Sequence, residues 1–236
     1  MAYDGTGFRG WAAQPGLRTV QGELEAALAR ILGAEVALTV AGRTDSGVHA
    51  TAQVASFEAD AAKEGLLRGV NAVLPSDVVV RSCAEAAPGF DARRDARARA
   101  YRYRILAAPV RDPFEEGRAL WWRHRIDRDA LDACAAALPG THDFTAFTPT
   151  ETDHVRFERD VLAAAWTGDV PGILEFGIEA DAFMRHMVRV LVGTMLEVAG
   201  GRRPLDDFRA LLDGAPRERA GETAPPHGLY LVGVRY

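Results

Sequence analysis

The hydrophobic period of the chain switches repeatedly between helical and extended spacing, and this limits the folds open to it. Thr19 precedes an apolar set, Val20, Leu24, Ala27, Leu28 and Ile31, that recurs on one helical face. Thr19 suits an N-cap and Gly33 a helix stop. Residues 36–40 then form an apolar, extended run, and 53–57 another. The pattern predicts a helix over 61–74 ended by Pro75, a short strand at 78–82 and a longer one at 97–106. In the second half it predicts helices over 127–138, 183–199 and 204–213, with strands near 159–167, 173–180 and 229–235. Residues 140–148, GTHDFTAFT, read as a loop.

Short strands interleaved with helices in both halves predict an α+β fold: two similar α/β halves around a mostly antiparallel sheet. A connection rich in Pro, Arg and Trp at 107–126 marks the expected boundary. It divides an N-terminal half, 1–106, from a C-terminal half, 107–236. No apolar run approaches the roughly 18 residues that span a bilayer, and residues 1–11 have no apolar signal core. Cys83 and Cys134 are too few and too far apart for a cysteine-based zinc cage or a disulfide framework. These features predict a cytoplasmic chain with reduced thiols.

The net charge of -5 argues weakly against a nucleic-acid partner, but its distribution is uneven. Residues 93–104 hold Arg93, Arg94, Arg97, Arg99, Arg102 and Arg104 against Asp95 alone, a local excess of five positive charges. All but one of the 28 basic residues are arginine, the side chain better suited to planar recognition of phosphates and bases.

Three clusters carry candidate chemistry. The densest is GRTDSGVH at 42–49, directly after an apolar strand. Its two glycines allow a sharp turn and close approach of a substrate. Three readings are open: a tight turn capped by Asp45 or Ser46, a carboxylate acting as nucleophile or acid–base group, and a metal site fed by Asp45 and His49. The second is FMRHMVR at 183–189, where Arg189 lies among valines at the start of an apolar helix. Such an arginine either reaches water or holds a carboxylate, because an unpaired buried charge is costly. The third is ARAYRYR at 98–104. Strand alternation puts Tyr101 and Tyr103 on one face with Arg97 and Arg99, an arrangement able to stack bases and hold phosphates, or simply a half-packed exposed strand. P-loop, GxGxxG, GxSxG and HExxH motifs are absent from the sequence.

Together these residues resemble the tRNA pseudouridine synthase A family. The matching motifs run nearly end to end: YDGTGFRGW at 3–11, RTVQ at 18–21, AGRTDSGVHA at 41–50 and NAVLP at 71–75. FDAR at 90–93, YRYRI at 101–105, HDFTAF at 142–147, FMRHMVR at 183–189 and GLYLVGV at 228–234 follow. Family members carry a full apolar strand before the YDG motif. Here only Met1 and Ala2 precede it, which predicts a first strand cut short or a start assigned too late.

The resemblance implies a pseudouridine synthase fold with a central RNA-binding cleft, and isomerisation of uridines 38, 39 and 40 in the tRNA anticodon stem-loop. It implies no cofactor, no metal and a homodimer that binds tRNA across both subunits. It makes Asp45 the catalytic aspartate, Arg189 its paired cation and Tyr101 the ring that stacks on the uracil. Arg43 would help displace the base, and Leu229 would line its pocket. Arg97 and Arg99, beside Tyr101, are expected to meet neighbouring phosphates. A non-catalytic RNA-binding protein and a hydrolase using Asp45 and His49 are the competing functions.

Overall fold

A computed structural model describes residues 1–59, 64–152, 155–170 and 172–236. The described chain forms two compact units, one of residues Met1–Arg97 with Tyr230–Tyr236, the other of Ala98–Leu229.

The first unit begins with β1 (Ala2–Tyr3) and α1 (Val20–Leu32). The Thr19 side chain accepts from Gly22 N, and Gly33 closes the helix in the left-handed region at φ 79°, as the sequence predicts. Then come β2 (Thr39–Val40), β3 (His49–Ala50), β4 (Ala55–Ser56), α2 (Leu66–Val73) and β5 (Val78–Val79). The strands are shorter than their apolar runs; next to β2 and β5 the backbone bonds side chains instead, Leu38 N to Glu25 and Val80 to Asn71. The helix expected over 61–74 is present as α2; its first predicted residues, 61–63, lie outside the described residues. The last strand, β11 (Leu229–Arg235), pairs in parallel with β3, placing Tyr230 against His49. β1 pairs antiparallel with both β3 and β5, and β2 with β4.

Side chains tie these short elements together. Asn71 of α2 donates to Val80 O and accepts from Val80 N, each at 2.8 Å, fixing the helix to the end of β5. Arg18 grips Asp77 with two bonds of 2.8 and 2.9 Å, reaches Glu23, and lies 4.1 Å over the Phe8 ring. The Arg18 hydrogen bonds hold the Asp77 carboxyl below its ordinary range.

The second unit contains β6 (Ala98–Ala107), β7 (Leu120–Trp122), α3 (Arg128–Ala136), β8 (Gly140–Asp143), β9 (Glu158–Val170), β10 (Ile173–Ala180), α4 (Met187–Ala199) and α5 (Leu205–Ala210). Strands β6, β10, β9 and β8 pair antiparallel in that order, and β7 runs parallel to β6. Both units mix helices with mostly antiparallel strands, as expected. Part of the predicted loop at 140–148 is strand β8, whose sequence lacks the alternation that signals a strand. Phe144 and Phe147 follow it and are fully buried, with Phe208 of α5 packed on Phe147. The helix expected from 183 begins only at Met187, because His186 holds a left-handed φ of 62°. Among the described residues no helix is long and apolar enough to cross a membrane.

Segment 221–228 lies across α4 and is held by small residues. Thr194 Oγ1 donates to Val190 O and accepts from Gly221 N. A Cβ on Gly193 would stand 1.8 Å from Glu222 O, so only glycine admits this crossing. Gly193→Ala therefore forces the two backbones apart. It should cost about 2–3 kcal/mol and lower the thermal midpoint by about 4–12 °C. A melting curve that superimposes on wild type would show that the segment does not sit against the helix.

Candidate active site

Asp45 is half-buried on the loop between β2 and β3. The loop closes on itself through Val48 N donating to Asp45 O at 3.1 Å, with Gly47 at φ 78°. It cannot hold this shape alone, and the 3–11 segment clamps it. Trp11 N donates to Thr44 O at 3.0 Å, and the Ser46 hydroxyl donates to Phe8 O at 3.1 Å. Gly10, at φ 91°, passes so close that a Cβ would stand 3.0 Å from Thr44 O. A Cβ on Gly5 would stand 2.0 Å from Val48 O. Gly5 and Gly10 of YDGTGFRGW thus serve the aspartate loop, while Gly7 lies against the Arg18–Asp77 pair.

A buried polar network locks the base of the loop. The Tyr3 hydroxyl lies 2.7 Å from Thr44 Oγ1 and accepts from Gln53 Nε2 at 3.2 Å. Gln53, fully buried, also donates to Gly42 O at 2.8 Å and accepts from Val54 N at 3.1 Å. His49 turns away from a ligand role. Its buried ring stacks on Tyr230 with centroids 4.6 Å apart, and its Nδ1 lies 3.0 Å from Gly5 N and 3.3 Å from Asp4 Oδ1. Arg43 is exposed on the same loop. Arg97 is exposed, and its backbone N–H donates to Arg235 O.

The second unit gathers another group of the expected residues. Arg189 stands in the first turn of α4, where the helix dipole disfavours a cation. Its Nε donates to Ala224 O at 2.8 Å, and Ala224 N returns a bond to Arg189 O at 3.1 Å. The same segment receives the Tyr103 hydroxyl on Pro225 O at 2.8 Å. Gly228 follows, where a Cβ would stand 2.7 Å from the Tyr103 ring, and then buried Leu229. Burial pushes the Tyr103 phenol up, while the Arg189 charge pulls the other way. Tyr103 shares a strand face with Tyr101, as alternation predicts, but it is fully buried and bonded to Pro225 O, so it is not open for stacking a base.

Tyr101, 8% exposed, meets Phe183 edge to face at 4.9 Å, in the turn before α4. The register with β10 is regular, so Arg99 shares its face, and Arg99 donates to Asp181 O at 2.9 Å. The positive stretch 93–104 is less cationic than its sequence suggests. Arg94 pairs with Asp95, Arg102 with Glu175, and Arg104 with both Glu175 and Glu115. Those acids are far away in sequence or outside the counted window, except Asp95.

A sequence model of a family described as tRNA pseudouridine synthase matches residues 134–236. The tRNA pseudouridine synthase A of Neisseria gonorrhoeae (strain ATCC 700825 / FA 1090) is 42% identical over 239 residues, covering 100% of this chain and 90% of the relative. That of Xanthomonas euvesicatoria pv. vesicatoria (strain 85-10) is 41% identical over 240 residues, covering 100% and 93%.

The buried Tyr3 network makes a pH prediction. Burial pushes the Tyr3 phenol from 10.0 up to about 12, against its bonds with Thr44 and Gln53. The unfolded chain ionises first, so this contribution to stability is complete below pH 10 and is lost as pH rises through about 12. Tyr3→Phe should cost about 1–2 kcal/mol at pH 8 from the lost hydrogen bonds. Above pH 10 its stability should then fall less steeply than that of wild type. Urea unfolding at pH 8 and near pH 12 checks this; a constant gap between the two proteins would mean that Tyr3 ionises no later in the folded state.

Proposed function

Because this chain belongs to the tRNA pseudouridine synthase A family, a family of isomerases, we propose that it converts uridine to pseudouridine at positions 38, 39 and 40 of the tRNA anticodon stem-loop, with Asp45 as the nucleophile. What most supports this reading is the treatment of Asp45. Two close glycine contacts, a self-closing turn and a buried Tyr3–Thr44–Gln53 network all serve to aim one half-buried carboxylate.

Pseudouridine formation breaks the N1–C1′ bond, turns the uracil and rejoins C5 to C1′. A proton leaves C5 and N1 gains one, so electrons balance with no redox partner. A carboxylate serves this chemistry by attacking the ring or the sugar, and either route needs it ionised. The uridine first leaves its stack, at a cost of a few kcal/mol. In the proposed division of labour, Arg43 helps displace the base, Tyr101 stacks on the uracil and Leu229 lines its pocket. Arg189 is the countercharge of Asp45, a role that suits a cation placed against the dipole of α4. Arg97 and Arg99 meet phosphates beside the target. The working form in this reading is a cytoplasmic homodimer without a cofactor.

Asp45→Asn keeps the shape and removes the charge. Pseudouridine formation on unmodified tRNA should fall at least about a hundredfold, with tRNA affinity within a few-fold of wild type. Turnover close to wild type would remove Asp45 from the chemistry.

Arg189→Leu should lower kcat by about a hundredfold, and Arg189→Lys should recover part of it by restoring charge without the planar fork. If the leucine and lysine variants are equally impaired while both fold, charge at this position is not what the reaction uses.

A further inference from the structure

Arg94, Arg102 and Arg104, three of the six arginines of 93–104, are paired with acids of the same chain, which calls for a source of positive potential toward RNA besides Arg97 and Arg99 next to Tyr101. The segment WWRHR at 121–125 supplies one source. β7 ends at Trp122, which pairs with Ala107 at the end of β6. Beyond it the chain turns into α3 and leaves an open cavity of about 450 Å³. Arg123, His124, Arg125 and Arg128 line it, with Ala107 and Leu174 on its apolar side.

Among the described residues none that lines this cavity is acidic. Of the nearby carboxylates, Asp127 caps α3 by accepting from Ala130 N and Asp132 pairs with Arg128, while Asp129 is exposed in the first turn of α3. Arg128 is further fixed by donating to Trp166 O at 2.6 Å. Arg123 and Arg125 are exposed. His124 is held edge-on to Trp122, with centroids 5.3 Å apart. The connection before β7 is itself anchored. Trp121 donates from its indole to Ala108 O at 3.0 Å, and Arg111 lies 4.7 Å over its ring. Exposed arginines beside an apolar wall can reach phosphate oxygens and pair with them through charge-assisted hydrogen bonds.

We propose that the cavity at the end of β6 and β7 is a phosphate-binding site for the RNA backbone, with Arg123 and Arg125 as its contacts. Tyr101 and Ala107 are six residues apart on β6, so the site lies about 20 Å along the strand from the tyrosine. It holds substrate backbone remote from the reacting uridine and fixes where the RNA lies. This inference rests on the reading that the substrate is tRNA.

The test is a salt series of tRNA binding by the full chain, compared with the double variant Arg123→Ala/Arg125→Ala. Neutralising two phosphates fewer should flatten the slope of log affinity against log salt by about 1.4–1.8. KM should rise by more than kcat falls. Arg123→Lys/Arg125→Lys should keep most of the slope, because it keeps the charge; a purely structural role would not give that rescue. Both residues are exposed, so the unfolding midpoint should stay within a degree or so of wild type. An active wild type whose slope coincides with that of the alanine variant overturns this site alone. An altered oligomeric state in light scattering, with the slope unchanged, assigns the face to a protein contact and also overturns it. A wild type that makes no pseudouridine, but whose binding slope depends on these arginines, overturns the proposed function and leaves the site standing.

Discussion

The close passage of the 3–11 segment beneath the Asp45 loop is the constraint on which the first unit depends. Gly5 and Gly10 bring backbone within reach of Val48 and Thr44 where no Cβ fits. That approach permits the bonds from Trp11 N and Ser46 Oγ, and it brings the Tyr3 hydroxyl to Thr44 and Gln53. The strands around the loop are only two residues long, too short to hold a catalytic group by ladder bonds alone. The network substitutes for strand length. Tyr3, Thr44 and Gln53 are all buried, so removing one strands another without a partner, at about 1–3 kcal/mol.

The second unit uses the opposite strategy. Here β6, β9 and β10 are long and regularly paired, and they carry a rigid platform for Tyr101 and Tyr103. Segment 221–228 is held against α4. Gly193 and Thr194 receive it, and Arg189 and Tyr103 each bind one of its carbonyls. Arg189 thus has a structural bond as well as the proposed electrostatic role. The left-handed His186 ends the preceding turn and sets where α4 begins, which puts Arg189 in the first turn instead of mid-helix. Backbone strain at such a residue persists only when the surroundings enforce it, and here the buried Met184 and Met187 flank it on both sides.

Much of this was legible from residues. Caps at Thr19 and Gly33, the extent of β10 and β11, and the apolar stripe of α4 follow from periodicity and capping, which are local. The motif AGRTDSGVHA marked the loop that bears Asp45. Less legible were the roles of the other motifs. NAVLP ties α2 to β5 through Asn71, and HDFTAF fills the core with Phe144 and Phe147. FDAR uses Asp91 to cap the following turn and Ala92 O to receive the Tyr236 hydroxyl. Nothing in their composition announces these structural roles.

The sequence by itself determined most of the helices and the longer strands, and which carboxylate sits on a glycine-flanked loop after a strand. Both depend on neighbours within a few residues. Only the tertiary structure decided which charges remain available. Arg102 and Arg104 meet Glu175 because β6 and β10 pair in one register, more than 70 positions apart in the chain. Arg123 and Arg125 are exposed, while Asp127 and Asp132, only a few residues away, turn to the helix backbone and to Arg128. Charge counted along a chain ignores pairing through space, and Coulomb attraction acts only through space.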